Sequence, residues 1–162
     1  MIKFQSVRIL SIKRLRGVIM KIFITGATGN VGSLVTKKLV DSKNEVIGLA
    51  RSKNSEEKLK LVGATPLRGN LEDLDILKKG ATESDATIHL GFVNNFVNPQ
   101  RANTIDANAI NAMGHAIKGT QKPLIVTMRL GGLFPNHILL ETDTGFNGIE
   151  KIISRKSKLI AR

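Results

Sequence analysis

An α/β fold built on a doubly wound parallel sheet is predicted by two features of this sequence. Short apolar runs alternate with longer amphipathic stretches from residue 21 to residue 127. Such alternation implies parallel strands joined by right-handed helical crossovers. The first apolar run, Ile22-Phe23-Ile24, also leads straight into three glycines spaced three apart (Gly26, Gly29 and Gly32) at the head of an amphipathic helix. The sheet is expected to be truncated after about five strands.

The elements follow in order. A buried strand over Lys21–Thr25 opens the domain. In the helix that follows, Val31, Leu34, Val35 and Leu39 form one face, and it ends near Ser42. Glu45–Ala50 reads as the second strand, and Glu56–Val62 as a short helix closed by Gly63. Thr65–Arg68 is a brief third strand. Leu71–Lys79 is a helix with Leu74 and Leu77 inward and Gly80 as its stop signal. Ala86–Leu90 is the fourth strand. A longer helix follows Arg101 with Ile105, Ala109, Met113 and Ile117 four residues apart, and Leu124–Thr127 is the fifth strand. Beyond Met128 the pattern fades into a loop marked by Gly131, Gly132, Pro135 and Gly145, then a basic tail. The expected division is a basic, disordered extension over 1–19, a folded domain over 20–130, and an atypical loop and tail over 131–162. A ligand of such a sheet sits at the carboxyl ends of its strands.

Composition narrows the function. A hydrophobic content of 41% suits a globular chain of 162 residues, and no apolar run is long enough for a membrane span. With no cysteine, disulfide and thiolate chemistry are excluded. The net charge of +12 resides mostly in the tails: Lys3, Arg8, Lys13, Arg14 and Arg16 at one end, Lys151, Arg155, Lys156, Lys158 and Arg162 at the other. All six aromatics are Phe, so no basic-and-aromatic stacking surface emerges and no specific nucleic-acid partner is expected. No spacing of His, Asp or Glu suggests a metal site. Residues 1–19 read as an upstream extension ahead of a natural start at Met20, which implies a cytoplasmic protein. The competing reading is an amphipathic mitochondrial presequence, basic and free of acids.

The glycine turn carries the chemistry. Gly26 ends the strand where the backbone turns sharply, Gly29 lets a pyrophosphate approach the main chain, and Gly32 lets the helix pack closely. The unpaired N–H groups and dipole at the helix start favour phosphate. The expected ligand is a dinucleotide.

Four motifs occur in register: Thr25-Gly-Ala-Thr-Gly-Asn-Val-Gly32, Gly48-Leu-Ala-Arg-Ser52, Arg68-Gly-Asn-Leu-Glu-Asp-Leu74 and Ile88-His-Leu-Gly-Phe92. Together they resemble the extended or atypical short-chain dehydrogenase/reductases, the NAD-dependent epimerase/dehydratase family, over about Lys21–Thr127. The resemblance implies a Rossmann-like, NAD(P)-binding domain in which Gly26, Thr28, Gly29, Asn30, Val31 and Gly32 cradle the pyrophosphate. It places Arg51 where an acidic residue would hold the ribose of NAD. An arginine there, with Ser52 and Lys53 beside it, implies NADP in preference to NAD. Asn70 and Leu71 match the family's Asp-Leu beside the adenine, with the charge lost. Leu90, Gly91 and Phe92 match the path along the adenosine and nicotinamide ribose, Gly91 because a side chain would crowd the cofactor. His89, on an apolar strand, reads as a hydrogen-bonded core histidine.

The departures concern catalysis. The family pairs a Ser or Thr beyond the fifth strand with a Tyr-x-x-x-Lys helix. Here Met128 stands at the serine position, Thr127 is one residue early and would point to the opposite face, and there is no tyrosine in the chain. No catalytic residue is therefore assigned. The expected function is the cofactor-binding half of an epimerase/dehydratase-type oxidoreductase, unable to turn over substrate alone. The alternatives are a non-enzymatic NADP-sensing regulator or a subunit completed by another chain. A homodimer through the truncated sheet edge is also expected.

Overall fold

A computed structural model describes residues 19–93 and 97–127. Five strands and four helices alternate: β1 (Lys21–Thr25), α1 (Asn30–Asp41), β2 (Glu45–Ala50), α2 (Lys53–Leu61), β3 (Thr65–Arg68), α3 (Leu74–Thr82), β4 (Ala86–His89), α4 (Pro99–Ala116) and β5 (Leu124–Val126). The strands form one sheet in the order β3-β2-β1-β4-β5, all pairs parallel. The chain winds outward from β1 through β2 and β3, then returns to the far side of β1 as β4. This is the doubly wound α/β fold, and its switch point lies between the carboxyl ends of β1 and β4.

Side chains alternate along β1 to feed two cores. Ile22 and Ile24 pack with Val46, Leu59 and Ala64 on one face, joined by Val35, Leu39 and Val40 of α1. Phe23 packs on the other with Leu77, Ala109 and Met113. Phe23, Ile24, Leu77 and Met113 are fully enclosed. Each such side chain contributes about 1.5–3 kcal/mol of burial free energy.

All four helices differ from the sequence pattern; α4 begins at Pro99 rather than beyond Arg101, because Asn98 caps it, its Oδ1 accepting the Arg101 N–H at 2.9 Å. Helix α1 turns Gly32 and Thr36 toward the sheet, while Val31 and Leu34 stand 64% and 72% exposed. Its closest approach is at Thr36, whose Oγ1 donates to Ala27 O at 3.2 Å, while Val35 and Leu39 of the expected face do pack on the core. Helix α2 begins three residues early because Ser52 caps it, its Oγ accepting the Ser55 N–H at 3.2 Å. Helix α3 begins three residues late because residues 70–73 form a polar turn. The Asn70 N–H donates to Asp73 Oδ2 (2.8 Å) and the Glu72 N–H to Asn70 Oδ1 (2.7 Å), which competes with helix. Gly80 does not stop α3 but lies buried within it, where a Cβ would meet the Phe23 ring at 2.7 Å. The basic extension and the tail, Met128 included, lie outside the described residues apart from Ile19 of the extension.

Candidate functional site

At the carboxyl end of the sheet a cleft of about 770 Å³ opens between the exits of β1, β2, β3 and β4. The turn after β1 forms its floor. Gly26 has a φ of +69°, in the left-handed region, and a Cβ there would lie 2.6 Å from Gly91 N. The turn closes with the Gly29 N–H donating to Gly26 O at 3.0 Å, and the helical ladder begins only at Ser33 N–H to Gly29 O, 2.8 Å. The N–H groups of Asn30, Val31 and Gly32 therefore head α1 without helical acceptors, and no side chain caps them. No acid occupies the first turn of α1, so the positive end of its dipole faces the cleft uncancelled. Gly32 packs beneath the turn itself: a Cβ there would lie 1.9 Å from Gly26 O. Gly29 is different, since its Cβ would meet only Gly26 O, at 3.3 Å. A side chain at 29 asks Gly26 O to give by only a few tenths of an ångström, whereas a ligand lying on that N–H row would be pushed away.

The wall on the β2 side is cationic. Arg51 and Lys58 line it with Ser52, Asn54 and Ser55, and neither cation is in an ion pair among the described residues. Lys53, the expected companion of Arg51, does not line the cleft, whereas Lys58, one turn further along α2, does. Opposite, Gly69, Asn70, Leu71 and Glu72 follow β3. The Asn70 carboxamide oxygen is committed to the Glu72 N–H, which leaves its NH₂ group as the donor toward the cleft. Glu72 is engaged by Arg101 Nη2 at 3.0 Å, which offsets its negative charge at the cleft.

Leu90, Gly91, Phe92 and Val93 complete the lining beyond β4. A Cβ on Gly91 would lie 3.1 Å from Thr25 Oγ1 and 3.2 Å from Gly26 N. The tight fit at Gly91 thus comes first from the protein's own strand exits, before any cofactor. All twelve residues singled out from the sequence, from Gly26 to Phe92, border this one cleft. The α2 residues Asn54, Ser55 and Lys58 were missed. The signal that could have found them is the Ser52 cap, which starts α2 early and sets Ser55 and Lys58 one turn apart.

His89 is 1% exposed and fully hydrogen-bonded, as its apolar strand suggested. His115 is exposed on α4, and His137 lies outside the described residues. Thr127 Oγ1 donates to His89 O at 3.2 Å. Among the described residues no cluster of three or more His, Cys, Asp or Glu could hold a metal, and no helix is long and apolar enough to cross a membrane.

Comparison with known proteins adds the following. Residues 22–117, more than half of the chain, match the model of the NAD dependent epimerase/dehydratase family. The uncharacterized protein YLL056C of Saccharomyces cerevisiae is 46% identical over 144 residues, which cover 88% of this chain and 48% of that protein. The chain spans about half the length, or less, of the curated relatives it matches. Among solved structures, the Bordetella bronchiseptica enzyme WbmH in complex with NAD+ superposes with a TM-score of 0.52 at 23% identity, over 62% of this chain and 36% of that one. Yeast methylglyoxal/isovaleraldehyde reductase Gre2 complexed with NADPH gives 0.53 at 22% identity, over 65% and 36%. Identities this low carry the fold, with a nicotinamide dinucleotide bound in both of those proteins.

Proposed function

Because this chain belongs to the NAD-dependent epimerase/dehydratase family, we propose that its cleft binds a nicotinamide dinucleotide, NADP in preference to NAD. In this reading the chain is the cofactor-binding half of an oxidoreductase of that kind. The observation that carries the reading is the row of Asn30, Val31 and Gly32 N–H groups above a glycine turn whose only room for a side chain, at Gly29, lies on the ligand's path.

The residues would divide the ligand by chemistry. The turn and the α1 dipole hold the pyrophosphate. Arg51 and Lys58, both without carboxylate partners among the described residues, hold the extra phosphate of NADP, and Arg51 can do so with two parallel N–H donors. Leu71 and the Asn70 amide flank the adenine. Leu90, Gly91 and Phe92 guide the remainder toward the exit of β4. When bound, the nicotinamide supplies hydride chemistry. The chain has no tyrosine to move the accompanying proton, so we assign it binding without turnover by itself. The same lack of tyrosine also fits a second reading, a subunit whose proton-transfer group comes from another polypeptide.

Calorimetric titration of the chain with NADPH and NADH tests this. Micromolar NADPH binding, weaker NADH binding, and loss of both in Gly29→Val are expected. Arg51→Glu should reverse the preference by about tenfold or more. A folded chain that binds neither dinucleotide overturns the reading.

A further inference from the structure

A chain of hydrogen bonds, fully enclosed at Thr25 and His89, runs from the cleft lining at Gly91 to helix α4. His89 is enclosed, and both ring nitrogens are engaged: Nδ1 lies 2.7 Å from Thr25 Oγ1, and Nε2 lies 3.1 Å from Asp106 Oδ1 on α4. Thr25, also fully buried, accepts the Gly91 N–H on the same hydroxyl oxygen at 3.2 Å. None of Thr25, His89 and Asp106 lines the cleft.

Proton counting gives this chain a direction. Against the Asp106 carboxylate, which only accepts, a neutral imidazole carries its proton on Nε2. Nδ1 is then bare and takes the Thr25 hydroxyl proton. That leaves the hydroxyl oxygen free to accept from Gly91. The donors run one way, from Gly91 to Thr25 to His89 to Asp106. The other tautomer would aim both Nδ1–H and the Gly91 N–H at one oxygen and set a bare Nε2 against a carboxylate. The two facing acceptors, with no proton between them, disfavour that arrangement.

The far end of the chain matters because of what Gly91 touches. Its backbone is the surface on which the Gly26 turn rests, with no room for even a Cβ between them. From this we infer that Thr25, His89 and Asp106 form a positioning relay: helix α4 fixes the His89 tautomer, and the tautomer fixes Gly91 against the phosphate-binding turn. Dinucleotide affinity is thereby set in part by a residue on a helix behind the sheet. The inference rests on the dinucleotide reading of the cleft. It extends that reading to residues that do not touch the ligand.

The test combines nitrogen NMR of the full chain with calorimetry. In the unmodified chain His89 is expected to show a bare Nδ1 and a protonated Nε2. Thr25→Val keeps the branched shape and removes the hydroxyl. It should shift the Gly91 amide resonance and weaken NADPH and NADH binding by the same factor, about tenfold, with their ratio unchanged. Thr25→Ser should restore both the resonance and the affinity. Asp106→Leu, at a site 16% exposed, should move the His89 proton to Nδ1 and produce the same equal loss, and it carries the test if Thr25→Val does not fold. A purely structural role would lower stability in these variants and leave affinity intact. If Thr25→Val or Asp106→Leu binds like the unmodified chain while Gly29→Val does not bind, the relay is overturned and the dinucleotide site stands. A His89 protonated on Nδ1 in the unmodified chain also overturns it. If the unmodified chain binds neither dinucleotide, both readings fall together.

Discussion

Glycines of one sequence spacing serve different masters, and the distance to the nearest atom separates them. At Gly26 and Gly32 the protein's own backbone occupies the place of a side chain; at Gly29 the nearest atom, Gly26 O, stands back at 3.3 Å. Gly80 belongs with the first group, although its neighbour is a side chain, the Phe23 ring at 2.7 Å. Phe23 is itself fully enclosed and cannot swing away. Gly80→Ala is therefore expected to lower stability by about 1–3 kcal/mol in denaturant titrations and to leave dinucleotide affinity unchanged, since Gly80 is remote from the cleft lining. Undiminished stability would mean that the α3–β1 packing is looser than these distances imply.

Helix α2 bears on both folding and the cleft, and its start depends on one hydroxyl. Its sequence, Lys53-Asn54-Ser55-Glu56-Glu57-Lys58, has little apolar content, with Leu59 its sole buried residue. Ser52→Ala should cost about 1 kcal/mol in thermal unfolding, and Ser52→Asp should recover most of it; equal stability of all three would show that the cap is idle. The same helix shows why some elements were legible and others were not. Strands β2 and β3 keep the bounds read from the sequence because clear breaks follow them, Arg51 after β2 and Gly69 after β3. Polar starts carry no such edge. The opening of α2 is hidden by its charges, and the opening of α3 by the Asn70–Asp73 turn, whose polar residues pattern like a helix. The inner face of α1 was half legible: Val35 and Leu39 pack on the core as read, but Val31 and Leu34 do not, and the closest contact falls to Gly32 and Thr36, small residues that hydrophobic periodicity passes over. The cleft was legible at the glycine turn, where backbone constraint leaves a mark in sequence. Its α2 wall was not, because Asn54, Ser55 and Lys58 acquire meaning only once the helix is placed.

Across the whole molecule, the two sides of the sheet end differently at β5. Register carries Ile24 to Ile88 and Ile88 to Ile125, so all three share one face. Ile24 is sealed, but Ile125 is 54% exposed on the outermost described strand. We expect this edge to pair two copies of the chain. Light scattering should give about twice the 17.6 kDa chain mass, and Ile125→Lys should halve it; a monomeric mass for the unmodified chain would exclude the pairing. The strand order has a further consequence, for the time at which this edge problem first arises. β1 gains β2 as a neighbour soon after synthesis, whereas its other flank waits for β4, with Thr25 and His89 64 residues apart. Until residues 86–89 emerge, the most deeply enclosed strand of the finished protein is the open border of a half-built sheet. The nascent chain thus passes through a stage in which Phe23 and Ile24, later its best-protected side chains, are its most vulnerable.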